Sequence, residues 1–322
     1  MTRTVAVTGG TGFLGRAVVA TLVRDGWRVR VLVRRSAAPW SEPGLGAKHE
    51  ADHETELVFG DLADPAALRR LVRGADAVVH AAGAIAARDR AAFMAVNRDG
   101  SARLGAAVAA EAPAARLVHV SSLAAREPQL SDYAASKRAG EDALRAACGA
   151  ASWVVVRPPA IYGPRDRATL PVFRVASGPL APVLHGPEAR VCLIHVQDVA
   201  EAIAALCADG PSGRVFELSD GRQEGYSWRA IVDEAARAVG GTPRIVRVPA
   251  ALIRLVGAVA GAAGRLTGRA VLLSRGKVRE MLHPDWSSAP EQQPPPSLWS
   301  PRVALPEGFA ATVRWYREAR WL

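Results

Sequence analysis

The stretch SSLAAREPQLSDYAASK, Ser121 to Lys137, carries residue types and spacing that can move a proton. On a helix, Tyr133 and Lys137 stand four residues apart on one face, which brings an ammonium beside a phenol. A free tyrosine has a pKa of about 10 and exchanges protons sluggishly at neutral pH, whereas a close cation favours the phenolate and draws that pKa toward useful values. Ser122, at the end of the apolar run RLVHVSS, can place a hydroxyl near the same point.

A second constellation, TGGTGFLG from Thr8 to Gly15, follows the apolar run TRTVAV almost at once. Thr4 to Val7 reads as a short buried strand, and LGRAVVATLVRDG repeats apolar residues at helical spacing, so the glycines occupy a strand-to-helix turn. Gly9, Gly12 and Gly15 leave room against that turn, and the free N–H groups and dipole of the helix start favour a pyrophosphate. A dinucleotide fold that takes NAD commonly ends its second strand with an acidic residue, whereas NADP needs positive charge there. Here VRVLV runs into Arg34 and Arg35 with no acid, so NADP(H) is the preferred cofactor and NAD(H) the alternative.

These residues need elements to position them, and the first half of the chain alternates apolar strands (VRVLVRR, ELVFGD, DAVVHAA, RLVHVSS, SWVVVRP) with helical patterns such as PAALRRLVRG and GSARLGAAVAAEA. Regular alternation predicts an α/β fold with a doubly wound parallel (Rossmann) sheet, in which ligands bind at the carboxyl ends of strands. From about Tyr162 the composition shifts to proline and glycine. The expected organisation is a dinucleotide-binding domain over 1–165 and a smaller, interleaved C-terminal substrate lobe over 166–322, with segments around 191–220 returning to the main domain. SAPEQQPPPSLWSP reads as an irregular loop.

Bulk properties narrow the classes. The chain has 322 residues, 49% of them hydrophobic, enough for a sizeable core. Cys148, Cys192 and Cys207 are odd in number and lack CxxC pairing, which argues against a disulfide framework or a zinc knuckle. No leader pattern precedes the first strand and no apolar run reaches the roughly 18 residues of a membrane span, so the expected location is cytoplasmic, soluble or peripheral. The net charge of +10 has one concentrated source: between Arg244 and Arg279 lie eight Lys or Arg and no Asp or Glu, interleaved with PAALIRLVGAVAGAAGRL. That segment reads either as an ordinary core-facing amphipathic helix or as one lying on the inner face of an anionic membrane. Nucleic acid is disfavoured because the arginines lack interleaved aromatics or a reading motif.

Serine, Tyr-x-x-x-Lys and the GxxGxxG turn together resemble the extended branch of the short-chain dehydrogenase/reductase superfamily, the epimerase/dehydratase type, with a serine-to-tyrosine gap of 11 that suits it. RPPAIYGP, Arg157 to Pro164, resembles its RPxxxYGP segment, and TVRWYREARWL its terminal helix. The resemblance implies hydride transfer from NADPH to a ketone carbon, with Tyr133 as proton donor, Ser122 bonding the oxygen, Lys137 tuning the tyrosine and holding the nicotinamide ribose, and Asn97, from the fourth helix, supporting a proton relay. It further implies that Thr11, Phe13, Leu14 and Pro158 line the cofactor, that Asp61 and Leu62 contact adenine, and that Ala81, Ala82 and Gly83 form a small-residue strip beside it. A homodimer is the family expectation.

Within that family, dehydratases carry an Asp-Glu pair directly after the serine position, where this chain has Leu123 and Ala124. Nucleotide-sugar epimerases keep NAD, against which Arg34 and Arg35 count. A ketone reductase acting on a bulky apolar substrate fits better. KVREMLHPDW and WYREARWL resemble bacterial reductases tied to sphingolipid assembly, including those of oxidised ceramide, which implies reduction of a 3-keto-sphingolipid. The alternatives are an epimerase and a catalytically retired redox-sensing or structural subunit. No metal is expected: His49 and His53 fall in a polar loop without a third ligand, and His80, His119 and His195 read as packed or structural.

Overall fold

The structure, a computed structural model, describes residues 2–34, 55–185, 189–267 and 274–322. The elements of its first half are β1 (Thr4–Thr8), α1 (Phe13–Arg24), β2 (Arg28–Val33), β3 (Thr55–Phe59), α2 (Pro65–Val72), β4 (Ala77–His80), α3 (Arg90–Met94), α4 (Gly100–Glu111), β5 (Arg116–Val120), α5 (Asp132–Ala147) and β6 (Ser152–Arg157). The second half adds β7 (Ala160–Tyr162), α6 (Leu170–Ala176), β8 (Leu180–His185), β9 (Arg190–Val191), β10 (Leu193–His195), α7 (Val196–Ala208), β11 (Arg214–Glu217), β12 (Tyr226–Ser227), α8 (Trp228–Val239) and β13 (Arg244–Pro249). It ends with α9 (Ala250–Thr267), α10 (Arg275–Met281), β14 (Asp285–Trp286) and α11 (Leu305–Glu318).

Seven strands form one parallel sheet in the order β3-β2-β1-β4-β5-β6-β11. Its inner strands are apolar on both faces because both are covered. On one side Val5 and Val7 of β1 meet Val18 and Leu22 of α1 and Val199 and Ile203 of α7; on the other, Ala6 meets Leu68 and Leu71 of α2, Leu104 of α4 and Leu144 of α5. The strand order reverses between β1 and β4, and a crevice opens at such a switch point. This is a Rossmann sheet. Capping sharpens the helix starts that matter: Asp64 accepts from the N–H groups of Ala66 and Ala67 with Pro65 at the first position of α2, and Ser131 accepts from Ala134 N–H at the start of α5.

A second aromatic core lies in the later part of the chain, where Phe309 of α11 sits edge-on to both Tyr162 and Phe173, each at 4.9 Å, and Tyr316 packs 5.5 Å from Phe173. The parts interleave: α7 lies against the main sheet and β11 extends its edge beside β6. Asp198 on α7 in turn accepts from the backbone N–H groups of Arg302 and Val303, tying the segment before α11 to the central layer. SAPEQQPPPSLWSP, read from sequence as an irregular loop, contains a 3-10 turn at Pro290–Gln292 and is anchored by Trp299, which is buried in the core against the sheet.

Two buried histidines close the carboxyl ends of β4 and β5. His80 and His119 are register partners with rings 5.1 Å apart. His80 bonds Thr8 Oγ1 at 2.7 Å and Ser101 Oγ at 3.0 Å, whereas among the described residues neither ring nitrogen of His119 has a partner. Burial is the main cause that lowers His80 from 6.5 to about 3 and holds His119 well below its usual range. The unfolded chain therefore takes up these protons near its ordinary histidine pKa while the folded chain refuses them, so stability present above that pH is lost as the pH falls toward the folded values. Replacing His119 by leucine removes two unpaired nitrogens. The His119→Leu variant is expected to lose less Tm than the wild type between about pH 7 and pH 5, with a stability slope smaller by up to about 1.4 kcal/mol per pH unit; identical slopes in calorimetry would show that the pair does not carry this burden.

Candidate active site

The turn from β1 to α1 is built from close approaches. Gly9 has a positive φ of 77°, and a Cβ there would lie 2.5 Å from the backbone nitrogen of Ala82; a Cβ on Gly15 would lie 1.9 Å from the Gly9 carbonyl oxygen. Gly9 therefore lets the turn touch the residues after β4, and Gly15 lets α1 touch the turn. Gly12 differs: it is the N-cap of α1, exposed, and its Cβ would meet only the Gly9 oxygen, at 3.3 Å. Thr11 accepts from Arg16 Nε at 3.0 Å, which braces the loop. Phe13, Leu14 and Gly15 begin the helix, where backbone N–H groups have no intrahelical acceptor. This is a cradle for an anion, and it fits the pyrophosphate of a dinucleotide.

The other cofactor positions expected from sequence distribute around it. Ala81, Ala82 and Gly83 follow β4, with Ala81 and Ala82 against Gly9. Arg34 is exposed at the end of β2, while Arg35, like His49 and His53, lies outside the described residues. Asp61 follows β3, exposed, its Oδ1 accepting from Ala63 N–H at 2.7 Å; Leu62 is pressed under Gly100, whose Cβ would reach it at 2.8 Å. The Pro158 carbonyl accepts from Leu123 N–H at 2.9 Å and so holds the end of β6 beside Ser122.

Across the crevice, the first turn of α5 carries Tyr133, half-buried, with the Phe93 ring 6.1 Å from its own. Ser122, beside Tyr133, accepts at Oγ from Ala124 N–H at 3.2 Å. Lys137, one turn further on, donates from Nζ to the Val120 carbonyl at 2.8 Å. A Cβ on Gly83 would lie 3.1 Å from Asn97 Oδ1 and 3.6 Å from Lys137 Nζ, so these three converge. Asn97 lies in a π-helical turn, Ala95–Asp99, rather than in the regular fourth helix expected. Its side chain accepts from Ala84 N–H at 2.7 Å and donates to Ala84 O at 3.0 Å and Ser136 Oγ at 2.8 Å, which pins the strip after β4 to α5. The widened turn accommodates α5, because Gly140 approaches so closely that a Cβ would lie 2.4 Å from Asn97 O. His195 caps α7, accepting from Gln197 N–H at 3.3 Å.

The electrostatics differ from the expectation that Lys137 draws the tyrosine pKa down. Burial pushes Tyr133 up to about 12, against the lowering pull of the Ser122 hydrogen bond, and the negative charge of Glu280 adds to the rise. Burial likewise lowers Lys137 to about 8, with Glu141 opposing. Desolvation of the charged form is the largest cause at each group, so the protein's own groups hold the phenol protonated.

Sequence reasoning missed Glu280 and Glu141. Glu280, on α10, accepts from Ser131 Oγ and from Lys277 Nζ, and it reaches α5 from 149 positions away, for which no local pattern exists. Glu141 was within reach of pattern reasoning, since it follows Lys137 by four residues and lies on the same helix face. Arg157, the first residue of RPPAIYGP, binds it through Nε at 2.8 Å and Nη2 at 2.7 Å.

A cradle that fits a dinucleotide and a tyrosine–lysine pair on α5 suit an oxidoreductase that works with NAD(P), the class to which the relatives below belong. The chain belongs to the NAD dependent epimerase/dehydratase family, which it matches over residues 5–219. Among curated proteins it is 49% identical over 323 residues to the ceramide reductase of Caulobacter vibrioides (strain NA1000 / CB15N), covering 99% of this chain and 96% of that one. It is 31% identical to the 2-alkyl-3-oxoalkanoate reductase of Stenotrophomonas maltophilia (strain K279a), over 75% and 77% of the two chains. In fold it is similar to the UDP-glucose 4-epimerase of Thermus thermophilus solved with NAD, with a TM-score of 0.68 at 24% identity over 98% and 99% of the chains. Among the described residues, no helix is long and apolar enough to cross a membrane.

Two measurements follow from this geometry. Because a methyl group at Gly12 would press only on the Gly9 carbonyl oxygen, at 3.3 Å, Gly12→Ala is expected to cost little Tm yet weaken dinucleotide binding by roughly tenfold or more in a fluorescence titration; equal losses of Tm and affinity would make Gly12 structural. In the reductive direction, kcat/KM is expected to fall above about pH 8 as Lys137 loses its proton, with Tyr133 still protonated. Lys137→Arg, which stays charged, should move that limb to higher pH. A profile flat to about pH 10 in the unmodified protein would contradict the assignment.

Proposed function

We propose that this protein is an NADPH-dependent reductase that converts a ketone to a secondary alcohol on a bulky apolar substrate, specifically a 3-keto-sphingolipid or oxidised ceramide. The observation that carries the reading is the convergence of Asn97 and Lys137 on Gly83 beside the glycine turn, with Tyr133 one turn from Lys137 and the Phe93 ring against it. When bound, NADPH supplies the hydride that reduces the carbonyl carbon. Tyr133 gives its proton to the carbonyl oxygen, for which a phenol held at about 12 is in the required form. Ser122 hydrogen-bonds that oxygen, Lys137 holds the ribose, and Asn97 supports the return of the proton. Gly9, Thr11, Gly12, Phe13, Leu14 and Gly15 bind the pyrophosphate; Asp61, Leu62, Ala81, Ala82, Gly83 and Pro158 complete the cofactor wall.

Arg34 and Arg35 after β2, with no acid beside them, support NADP over NAD. The relatives named ceramide reductase and 2-alkyl-3-oxoalkanoate reductase support an apolar carbonyl substrate. Leu123 and Ala124 after Ser122 offer no acid–base pair for dehydration. The epimerase reading retains only the family match, and the retired-subunit reading has the intact Ser122, Tyr133 and Lys137 against it. We assign 1–165 to cofactor binding and 166–322 to the substrate lobe, and place the protein in the cytoplasm as a homodimer in peripheral contact with an anionic membrane.

The test is NADPH oxidation by the purified protein with 3-keto-ceramide in detergent, beside NADH and a UDP-hexose control. The expected outcome is consumption of NADPH with the keto-lipid, faster than with NADH, and a loss of about a hundredfold or more in Tyr133→Phe with cofactor binding retained. Sugar conversion without net NADPH loss would instead establish the epimerase.

A further inference from the structure

We infer that the outer face of the β8–β13 pair and the exposed arc of α9 together form the surface by which this protein docks on an anionic lipid bilayer; this deepens, and rests on, the reading of the substrate as a membrane lipid. Large exposed hydrophobic residues are not scattered. Among the described residues there are ten, and six of them, Leu180, Val246, Leu252, Leu255, Val256 and Val259, belong to these three elements. Such concentration marks an interaction surface.

The helix is turned the opposite way from a core-facing one. Leu252, Leu255, Val256 and Val259 recur at i, i+3, i+4 and i+7, which makes one arc, and they stand 47–61% exposed. The buried contact is made instead by Gly257, which approaches Val278 of α10 so closely that a Cβ would lie 2.4 Å from it. The strand pair shows the same inversion. Ala181, Val183 and Ile245 face inward against Val232 of α8, whereas Leu180 and Val246 face outward. Arg244 is the register partner of Leu180, so a guanidinium accompanies the apolar strand face.

Charge selects the occupant. From Arg244 to Arg279 the sequence holds eight cations and no carboxylate, and Arg244, Arg247 and Arg254 are exposed. A second copy docking through the same face would set these cations against their own equivalents. An anionic bilayer matches both features, apolar arc into the acyl boundary and cations at the headgroups. The position is also apt. Gly276 of α10 packs on Ser131, where a Cβ would lie 2.8 Å from the serine Cβ, and Ser131 caps the helix that carries Tyr133. α9 is thereby joined through α10 to the helix that carries Tyr133.

The experiment is co-sedimentation of the full chain with vesicles of phosphatidylcholine alone or mixed with phosphatidylglycerol, at low and high salt. Expected is binding to the anionic vesicles that weakens with salt, a loss of roughly tenfold or more for Leu255→Asp with Val259→Asp, and a loss confined to anionic vesicles for Arg244→Glu. Turnover of detergent-dispersed ketone should be unchanged in both variants. No sedimentation of the wild-type protein, equal sedimentation of wild type and both variants, or loss of detergent turnover in both variants would overturn the inference. Conversion of a dimer to a monomer by the double variant, with vesicle binding unchanged, would make the face an interface between copies. Vesicle binding without reduction of any keto-lipid would leave the docking face standing and sink the substrate reading alone.

Discussion

Glu141 has no solvent exposure, and α5, the helix that carries Tyr133 and Lys137, is held in place through its carboxylate. Arg157 grips both of its oxygens, at 2.8 and 2.7 Å, and Ser121 Oγ donates to it at 2.5 Å. An ion pair so buried is not a cheap source of stability, but removing one partner strands the other and costs about 3–5 kcal/mol. Its worth lies in register: it locks α5 to the ends of β5 and β6, which places Lys137 one turn and Tyr133 two turns away from the pair. The network then continues outward. Glu217 of β11 lies 3.8 Å from Arg157 and accepts from Ala289 N–H, while Arg126 donates to the carbonyls of Asp285 and Ser287. One set of charges thus positions the catalytic helix and fastens the later part of the chain over it.

Within that frame, burial decides protonation. Taking a phenol and an ammonium out of water disfavours the charged form of each, which is the largest cause of the rise of Tyr133 to about 12 and the fall of Lys137 to about 8. A phenol kept neutral is poised to give a proton rather than take one. Glu280 strengthens that bias from α10, and because it also binds the cap residue Ser131, the packing of α10 and the environment of Tyr133 are joined.

The same cradle and the same tyrosine serve epimerases and reductases alike, so fold alone does not choose between them. Arginine rather than acid after β2 and Phe93 against the tyrosine favour the reductase, while Leu123 and Ala124 leave no acid–base pair for dehydration. Beyond α10, whose Gly276 packs on Ser131 and whose Val278 packs on Gly257, α9 exposes an apolar arc.

Much of this was legible in the amino-acid order because it depends on local periodicity. Alternating apolar strands and amphipathic helices specify a doubly wound sheet, a glycine triplet between strand and helix specifies a turn that can be approached closely, and a tyrosine four residues before a lysine specifies a shared helix face. Tertiary structure decided what depends on distance in the chain. The π turn at Asn97 arises because Gly140 of another helix presses on it. The sign of the Tyr133 shift depends on how much water is excluded and on a carboxylate from α10, neither of which a spacing encodes. Likewise, an apolar stripe at helical spacing reads the same whether it faces the core or the solvent; only the packing of Gly257 on Val278 turned that of α9 outward.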